Sequence, residues 1–426
     1  MENIPNIVIR RREEDELRSL KGWILVYGRR KTGKTFLLKR VFTQAIYFIV
    51  TRSGSIAAWE GDGFSHIGLD EAVKRIGKLL RDRRIVILDE FQRLPDKYWD
   101  SIAVNHPNGK LIASGSSLGI VRRVFEKKSP LLGLFSPFKV DLISYPDAIL
   151  SLSRVCPSLK DALLWGLIVR DPWVVPMISF HRDVVSEICD KVHYFLASAP
   201  GLVGEVFEEE ERMLTRVYDA VIRMVGGGMW MPAEISGALT ASNLISGGLP
   251  TVTGLLERLT GMGIFEKIPL WKTKGLRNYF KHRSPLLSLT YYLDQKLNIS
   301  ESSYMKIDRS MVLSVLGKEL QFSLGEMLAE YLGGIRSYMI LPDGKGDVDI
   351  VILDSKGKTP IIGYEVKIGE ISESEAKKAV EQIHSQGIPR AGLVSLSEKP
   401  PRVAGSHEEI GPEELVDLAM KLRQHA

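Results

Sequence analysis

The chain has 426 residues, of which 44% are hydrophobic, a formal net charge of +5 and two cysteines, Cys156 and Cys189. That length suits two to four domains at roughly 150 residues each, while two cysteines at this spacing exclude both a disulfide framework and a zinc site. No apolar run approaches the roughly 18 residues of a membrane span, and the opening MENIPNIVIRRREEDEL is charged where a secretory leader is greasy, so a cytoplasmic protein is expected, mildly basic enough to permit a nucleic-acid partner without requiring one.

In chain order, strand-like Ile7-Val8-Ile9 precedes a charged stretch, Arg10 to Leu17, which predicts a short helix with polar faces. The apolar run Trp23 to Tyr27 then leads into GRRKTGKT, Gly28 to Thr35, and on to Phe36-Leu37-Leu38. This fits GxxxxGK[ST] at the place where a buried strand turns into a helix, the setting of a phosphate cradle. Gly28 and Gly33 permit turn conformations closed to residues with a Cβ, so the amides of Gly28, Arg29, Arg30, Lys31, Thr32, Gly33, Lys34 and Thr35 can converge on one anion. Lys34 is expected to reach the β- and γ-phosphates of ATP, and the Thr35 hydroxyl to ligate Mg²⁺.

Ala45 to Val50 predicts a second buried strand, Leu69 to Arg81 a helix, and Arg84 to Leu88 a third strand ending in Asp89-Glu90. A carboxylate at the carboxyl end of a parallel strand lies beside the cradle, so Asp89 is assigned to the metal through water and Glu90 to the attacking water as general base. Strands at Gly109 to Ser117 and Phe138 to Leu142 complete the alternation that signals a parallel sheet covered on both faces. Ser114 and Ser116 emerge at the ligand edge of such a sheet; each is read either as a sensor of the γ-phosphate, with Ser114 placed in the nucleotide set, or as a loop-starting serine.

GRRKTGKT, then ILDEFQRLP from Ile87 to Pro95, LIASGSSLGI from Leu111 to Ile120 and SPLLGLF from Ser129 to Phe135 together resemble the archaeal ATPase family, P-loop proteins of the broad AAA+/STAND type. The resemblance implies a P-loop ATPase domain over 1–144, a helical lid over 145–212, a winged-helix domain over 213–300 and a small nuclease-like domain over 301–426. Relatives usually carry an arginine pair after the PLxG. Here Leu134-Phe135-Ser136 stands there, which leaves Arg122 and Arg123 as candidate fingers or as structural residues.

Tyr145 to Arg212 reads as helices, with LVGEVFEEEERMLTRVYDAV predicting one long amphipathic helix whose acidic run, Glu208 to Glu211, is a solvated face. From Met213, helices over Val217 to Val225, Pro232 to Leu239 and from Pro250 predict a winged helix, the third with Val252, Leu255, Leu256 and Leu259 on one buried stripe. A basic strand region follows, with Lys267, Trp271, Lys272, Lys274, Arg277, Tyr279, Phe280, Lys281 and Arg283. Cations among aromatics suit either a wing on a phosphate backbone or interdomain packing.

The last region runs helix, three strands, helix, strand. Asp349 stands on one strand and Glu365-Val366-Lys367 on the next, in an order that resembles the PD-(D/E)XK nuclease fold. Residues two apart share a strand face, so Glu365 and Lys367 project together, and Asp349 completes a carboxylate pair for Mg²⁺ with Lys367 orienting water. The resemblance places an acidic residue, Glu326, on the preceding helix and a helper, Gln382, on the following one. The expected fold class is therefore α/β: a P-loop NTPase parallel sheet with a helical lid, an α+β winged helix, and a small α/β PD-(D/E)XK-like domain. Two functions fit. In one, a Mg-dependent ATPase couples nucleotide state to DNA binding or cleavage; in the other, a slow ATP-gated switch binds DNA or a partner protein and keeps an idle nuclease-like fold. Either form allows a homo-oligomer.

Overall fold

Residues 7–60, 63–116, 118–210, 212–272, 277–301, 307–341 and 346–424 are described by a computed structural model. Ser117, Glu211 and Lys274 lie outside them. The chain divides into two compact units, Arg12–Leu142 with Leu202–Met213, and Met1–Arg11 with Ile143–Gly201 and Leu214–Ala426.

In the first unit, seven strands form one sheet: β1 (Trp23–Tyr27), β2 (Ile46–Val50), β3 (Ile56–Glu60), β4 (Gly63–Ile67), β5 (Ile85–Asp89), β6 (Lys110–Gly115) and β7 (Phe135–Lys139), in the order β4-β3-β2-β5-β6-β1-β7. The run β2-β5-β6-β1-β7 is parallel. Its central strands are apolar without alternation, as burial on both faces demands, and Ile24, Leu25, Val26, Leu88, Ile112 and Ala113 are wholly buried. Between Val50 and Leu69 no pattern predicts strands, yet β3 and β4 add an antiparallel hairpin to the edge. The helix Leu69–Arg81 forms as its apolar spacing predicts, burying Ala72, Val73, Ile76 and Leu80.

The helix expected across residues 202–221 is two helices. Val184–Glu209 ends where the chain leaves helical geometry, and Arg216–Gly226 begins after Thr215, whose side chain caps the new helix by accepting the Tyr218 amide.

In the second unit, Arg216–Gly226, Pro232–Ala241 and Leu249–Gly261 precede the hairpin of β8 (Phe265–Pro269) and β9 (Asn278–His282). The stripe Val252, Leu255, Leu256 and Leu259 is buried as predicted. A five-stranded sheet follows: β10 (Ile335–Ile340), β11 (Asp347–Leu353), β12 (Pro360–Lys367), β13 (Ala391–Ser395) and β14 (Ser406–Ile410), in that order. The middle strand of the first three, β11, runs antiparallel to β10 and β12, and the last three are parallel. The helix Arg309–Leu332 precedes this sheet, and Glu373–Ser385, opened by the Ser372–Glu375 capping box, joins β12 to β13.

Candidate functional site

The cradle forms because β1 delivers the chain into a loop whose backbone only glycine tolerates at the first position. Gly28 has φ +150°, and a Cβ there would lie 1.9 Å from the Val140 carbonyl oxygen. Gly33, at φ 86°, caps the helix Lys34–Val41 in the left-handed region. Thr32 Oγ1 donates to the Arg29 carbonyl at 2.9 Å, and Lys34 Nζ to the Gly28 and Arg29 carbonyls at 2.8 and 2.9 Å. Burial lowers the Lys34 pKa to about 8 against the opposing pull of Asp89, Glu209 and Glu90.

Asp89, at the carboxyl end of β5, is buried, and its Oδ2 accepts from Thr35 Oγ1 at 2.7 Å. The lysine, the hydroxyl and the strand-end carboxylate singled out by sequence thus stand in one place. Tyr47 of β2 joins them unannounced: its hydroxyl also donates to Asp89 Oδ2. Nothing in the spacing of a buried strand marks that tyrosine. Glu90 follows at φ 57°, ψ 39°, a turn that re-aims its side chain. Its carboxylate accepts from Gln92 Nε2 at 2.8 Å and pairs with Arg93 at 3.1 Å. Burial raises its pKa, partly offset by Arg93 and reinforced by Glu209 and Asp89. Gln92 also donates to Ser116 Oγ at 3.1 Å, which ties that serine to Glu90. Ser114, paired with Asp89 across the β5–β6 ladder, is fully buried and its hydroxyl has no partner among the described residues.

The acidic run is not a plain solvated face. Arg30 of the loop is gripped by Glu205 at 2.9 Å and Glu209 at 2.7 Å, and the Glu209 side chain is only 9% exposed. Of the candidate fingers, Arg123 pairs with Asp96 and covers the Trp99 ring, whereas Arg122 is exposed.

A second polar site lies where β11 and β12 part. Their ladder runs from Leu353↔Pro360 to Ile350↔Tyr364; beyond it Asp349 Oδ2 takes the Val366 amide at 2.8 Å in place of a backbone partner. Asp349 is buried, and its Oδ1 accepts from Gln321 Nε2 at 2.6 Å. Burial first, then Glu365, raises the Asp349 pKa to about 8. Burial and Asp347 raise Glu365 to about 7, with Lys367 opposing. Asp347 accepts from the Tyr338 hydroxyl, and its backbone carbonyl accepts from Gln382 at 2.6 Å. Lys367 Nζ is turned to Glu375 at 2.7 Å. Glu326 does not join this group; it pairs with Arg170 at 2.8 Å, and Gln321 holds Asp349 from the same helix instead. Five residues at about 100° each set those two side chains about 140° apart around the helix.

Asp347, Gln321 and Lys367 line a cleft of about 610 Å³ together with Lys160 and Lys318. Among the described residues, no group of three or more His, Cys, Asp or Glu is arranged to hold a metal ion. Asp349 and Glu365 are the carboxylates available to a divalent cation, since the burial and neighbouring carboxylates that raise their proton affinity are what a bound cation would offset. The cradle fits magnesium on different grounds, a hydroxyl and a carboxylate already in contact.

The predicted wing is divided: Lys267, Lys272 and Arg277 are exposed, whereas Tyr279, Phe280 and Lys281 are buried. Tyr279 packs on Trp230, Phe322 and Tyr338, and Lys281 is buried between Glu266 and Glu319 at 3.1 and 2.8 Å. Lys267 pairs with Glu257 at 2.9 Å.

Residues 21–136 match a family model described as AAA domain. With the sheet and the glycine loop, that match makes this part of the chain a P-loop nucleotide-binding domain of the AAA type. Among solved structures, the chain is similar to the Aeropyrum pernix ORC1 protein in complex with DNA, at 16% identity over 70% of this chain and 97% of that one, TM-score 0.32. It is similar to the Aeropyrum pernix ORC2 protein in ADPNP-ADP complexes, at 15% identity over 76% and 97%, TM-score 0.38. A signal transduction ATPase with numerous domains from Pyrococcus horikoshii, which carries a tetratricopeptide repeat sensor, is similar at 16% identity over 77% of this chain and 49% of that one, TM-score 0.29. A comparison with curated proteins finds no match. No helix among the described residues is long and apolar enough to cross a membrane.

Proposed function

We propose that the chain is a Mg-dependent ATPase whose second site cleaves the phosphodiester backbone of DNA. The observation that carries the first half is the Thr35–Asp89 hydrogen bond at the mouth of the glycine loop, with Glu90 next along the chain. In this reading the loop amides and Lys34 bind the β- and γ-phosphates, and Thr35 and, through water, Asp89 hold the magnesium. The bound magnesium supplies charge neutralisation. Glu90, its proton affinity raised by burial, takes a proton from the attacking water as the water oxygen bonds to the γ-phosphorus and the bond to the bridging oxygen breaks, leaving ADP and phosphate. Loss of turnover in Glu90→Gln with nucleotide affinity retained is the expected result; full turnover in that variant would refute the assignment.

For the second half, the support is the splayed end of β11 and β12, where Asp349 takes the Val366 amide, beside a cleft lined by Val366, Lys367, Asp347 and Gln321 together with Lys160 and Lys318. Asp349 and Glu365 would hold a divalent ion, which supplies Lewis acidity at the phosphate. Lys367, released from Glu375, would orient the attacking water, and Lys160 and Lys318 would meet flanking phosphates. Cleavage of single- and double-stranded DNA with Mg²⁺ or Mn²⁺, with and without ATP, tests it. Activity lost in Asp349→Ala and Lys367→Ala is expected; no cleavage by the wild type under any of these conditions rules it out.

The packing of Tyr279 and Lys281 favours one element of the alternative reading, an ATP-gated switch in which the wing joins domains and does not grip DNA. That switch could act on a protein partner or on further copies of this chain, and it predicts slow turnover with the Asp349 and Lys367 variants indistinguishable from wild type in every activity.

A further inference from the structure

The loop between the two cradle glycines carries Arg30, and the nearest charges to it come from the last turns of the helix Val184–Glu209, distant in sequence and folded into the same unit. Glu205 Oε2 lies 2.9 Å from Arg30 Nε, and Glu209 Oε1 lies 2.7 Å from Nη1. The other Glu209 oxygen, Oε2, is buried and has no hydrogen-bond partner among the described residues. Glu209 also stands close enough to Lys34 and Glu90 to raise the proton affinity of both. Lys34 is the group that reaches the terminal phosphates, and Glu90 the one that faces the attacking water. Arg30, Lys34 and Glu90 therefore mark the γ end of the nucleotide site in this reading, and Glu209 acts on all three.

We propose that Glu209 is an internal anion seated at the γ-phosphate end of the cradle, a specificity-determining residue that sets the site against ATP relative to ADP until it is displaced. The inference rests on the ATP reading of the cradle. Its physics is a charge count: Arg30 and Lys34 face Asp89, Glu90, Glu205 and Glu209. ADP ends one phosphate short of this cluster, whereas the γ-phosphate of ATP must enter beside Glu209 and compete with it for Arg30. A like charge at this range, partly buried, is weakly screened. ATP binding thus requires Arg30 to exchange a carboxylate for a phosphate, and the helix end to give way.

The test is a titration of the full chain with fluorescent ATP and ADP analogues in Mg²⁺, comparing wild type, Glu209→Gln and Arg30→Gln. Glu209→Gln keeps the shape and removes the charge, so ATP affinity is expected to rise by about tenfold with ADP affinity changed by less than about threefold. Arg30→Gln leaves Glu209 unneutralised and should move the ATP-to-ADP preference the other way. Inorganic phosphate competing with ATP gives a second readout in wild type, since it should loosen ATP binding without displacing ADP. A preference unchanged in both variants, or equal shifts for both nucleotides, overturns the proposal. Lys34→Ala separates the two levels: nucleotide binding intact in that variant would refute the cradle itself, whereas binding lost there with the preference unmoved by Glu209→Gln sinks only the internal anion.

Discussion

The glycine loop and the parting strands of β11 and β12 both concentrate charge, but they settle it differently. In the loop, Lys34 is spent on two backbone carbonyls, Asp89 on Thr35 and Tyr47, and Arg30 on two glutamates. At the strands, Asp349 is buried beside Glu365, and the lysine that would offset them is turned to Glu375. The loop is closed on itself and a ligand must exchange bonds to enter, while at the strand site burial and neighbouring carboxylates make the charged forms of Asp349 and Glu365 costly. The first therefore selects by competition, the second by charge.

The largest effect that would break this contrast is at Lys34. Removing its ammonium takes away the cation proposed to reach both the β- and γ-phosphates, so Lys34→Ala should weaken nucleotide binding by about a hundredfold or more. Equilibrium titration with a fluorescent ATP analogue measures it. Affinity within a few-fold of wild type would mean the carbonyl contacts are its real role.

The strand site responds to pH and metal. Asp349 is raised to about 8 and Glu365 to about 7, against about 4 in an unfolded chain. A raised pKa means that the folded state binds the proton more tightly, so the stability these groups contribute is complete below about pH 4 and is lost as pH rises through 7 to 8. In EDTA the melting temperature should fall across that window; Mn²⁺ should restore it most at pH 8, and Asp349→Asn should flatten the decline. Calorimetry at pH 5 and pH 8 reads all three. A metal effect equal at both pH values would show that protons and metal do not compete there.

What sequence made legible follows the same divide. Gly28 to Thr35 and Asp89-Glu90 are readable because each is a local run in which backbone geometry and strand end dictate where a side chain emerges. Asp349 and the Glu365–Lys367 pair are readable through the two-residue period of a strand. The partners that complete each site are not local: Tyr47 reaches Asp89 across 42 residues, Glu209 reaches Arg30 across 179, and Gln321 reaches Asp349 across 28. A tyrosine on an apolar strand and a glutamate in an acidic run look like core and solvated face until tertiary packing selects them. Strands β3 and β4 escaped for a related reason, since a hairpin that completes a sheet edge takes its stability from the neighbour it pairs with.

Tyr47 sharpens the contrast at intermediate size. Its hydroxyl shares Asp89 Oδ2 with Thr35, so it fixes the carboxylate that we propose faces magnesium. In Tyr47→Phe the magnesium concentration for half-maximal nucleotide binding should rise by about three- to tenfold, in line with the roughly 1 kcal/mol net contribution of one hydrogen bond, since Thr35 still donates to the same oxygen. The melting temperature serves as control, because a purely structural tyrosine would lower it and leave the magnesium requirement alone.

The smallest effect expected is at Glu326, and it separates two residues of one helix. Gln321 donates to Asp349 at 2.6 Å, while Glu326 turns to the buried Arg170. Gln321→Ala takes away a donor that steadies the carboxylate, so Mn²⁺ affinity at the strand site should fall by about tenfold, as loss of an outer-shell partner commonly does. Glu326→Gln should leave that affinity within about twofold while lowering the melting temperature, because Arg170 loses its carboxylate partner in a buried setting. The carboxylate is itself partly exposed, its side chain 42% open to solvent, which keeps the stability loss modest. If instead Glu326→Gln cost the metal and Gln321→Ala did not, the helix would have to present its other face to the site, and the hydrogen bond between Gln321 and Asp349 would be incidental.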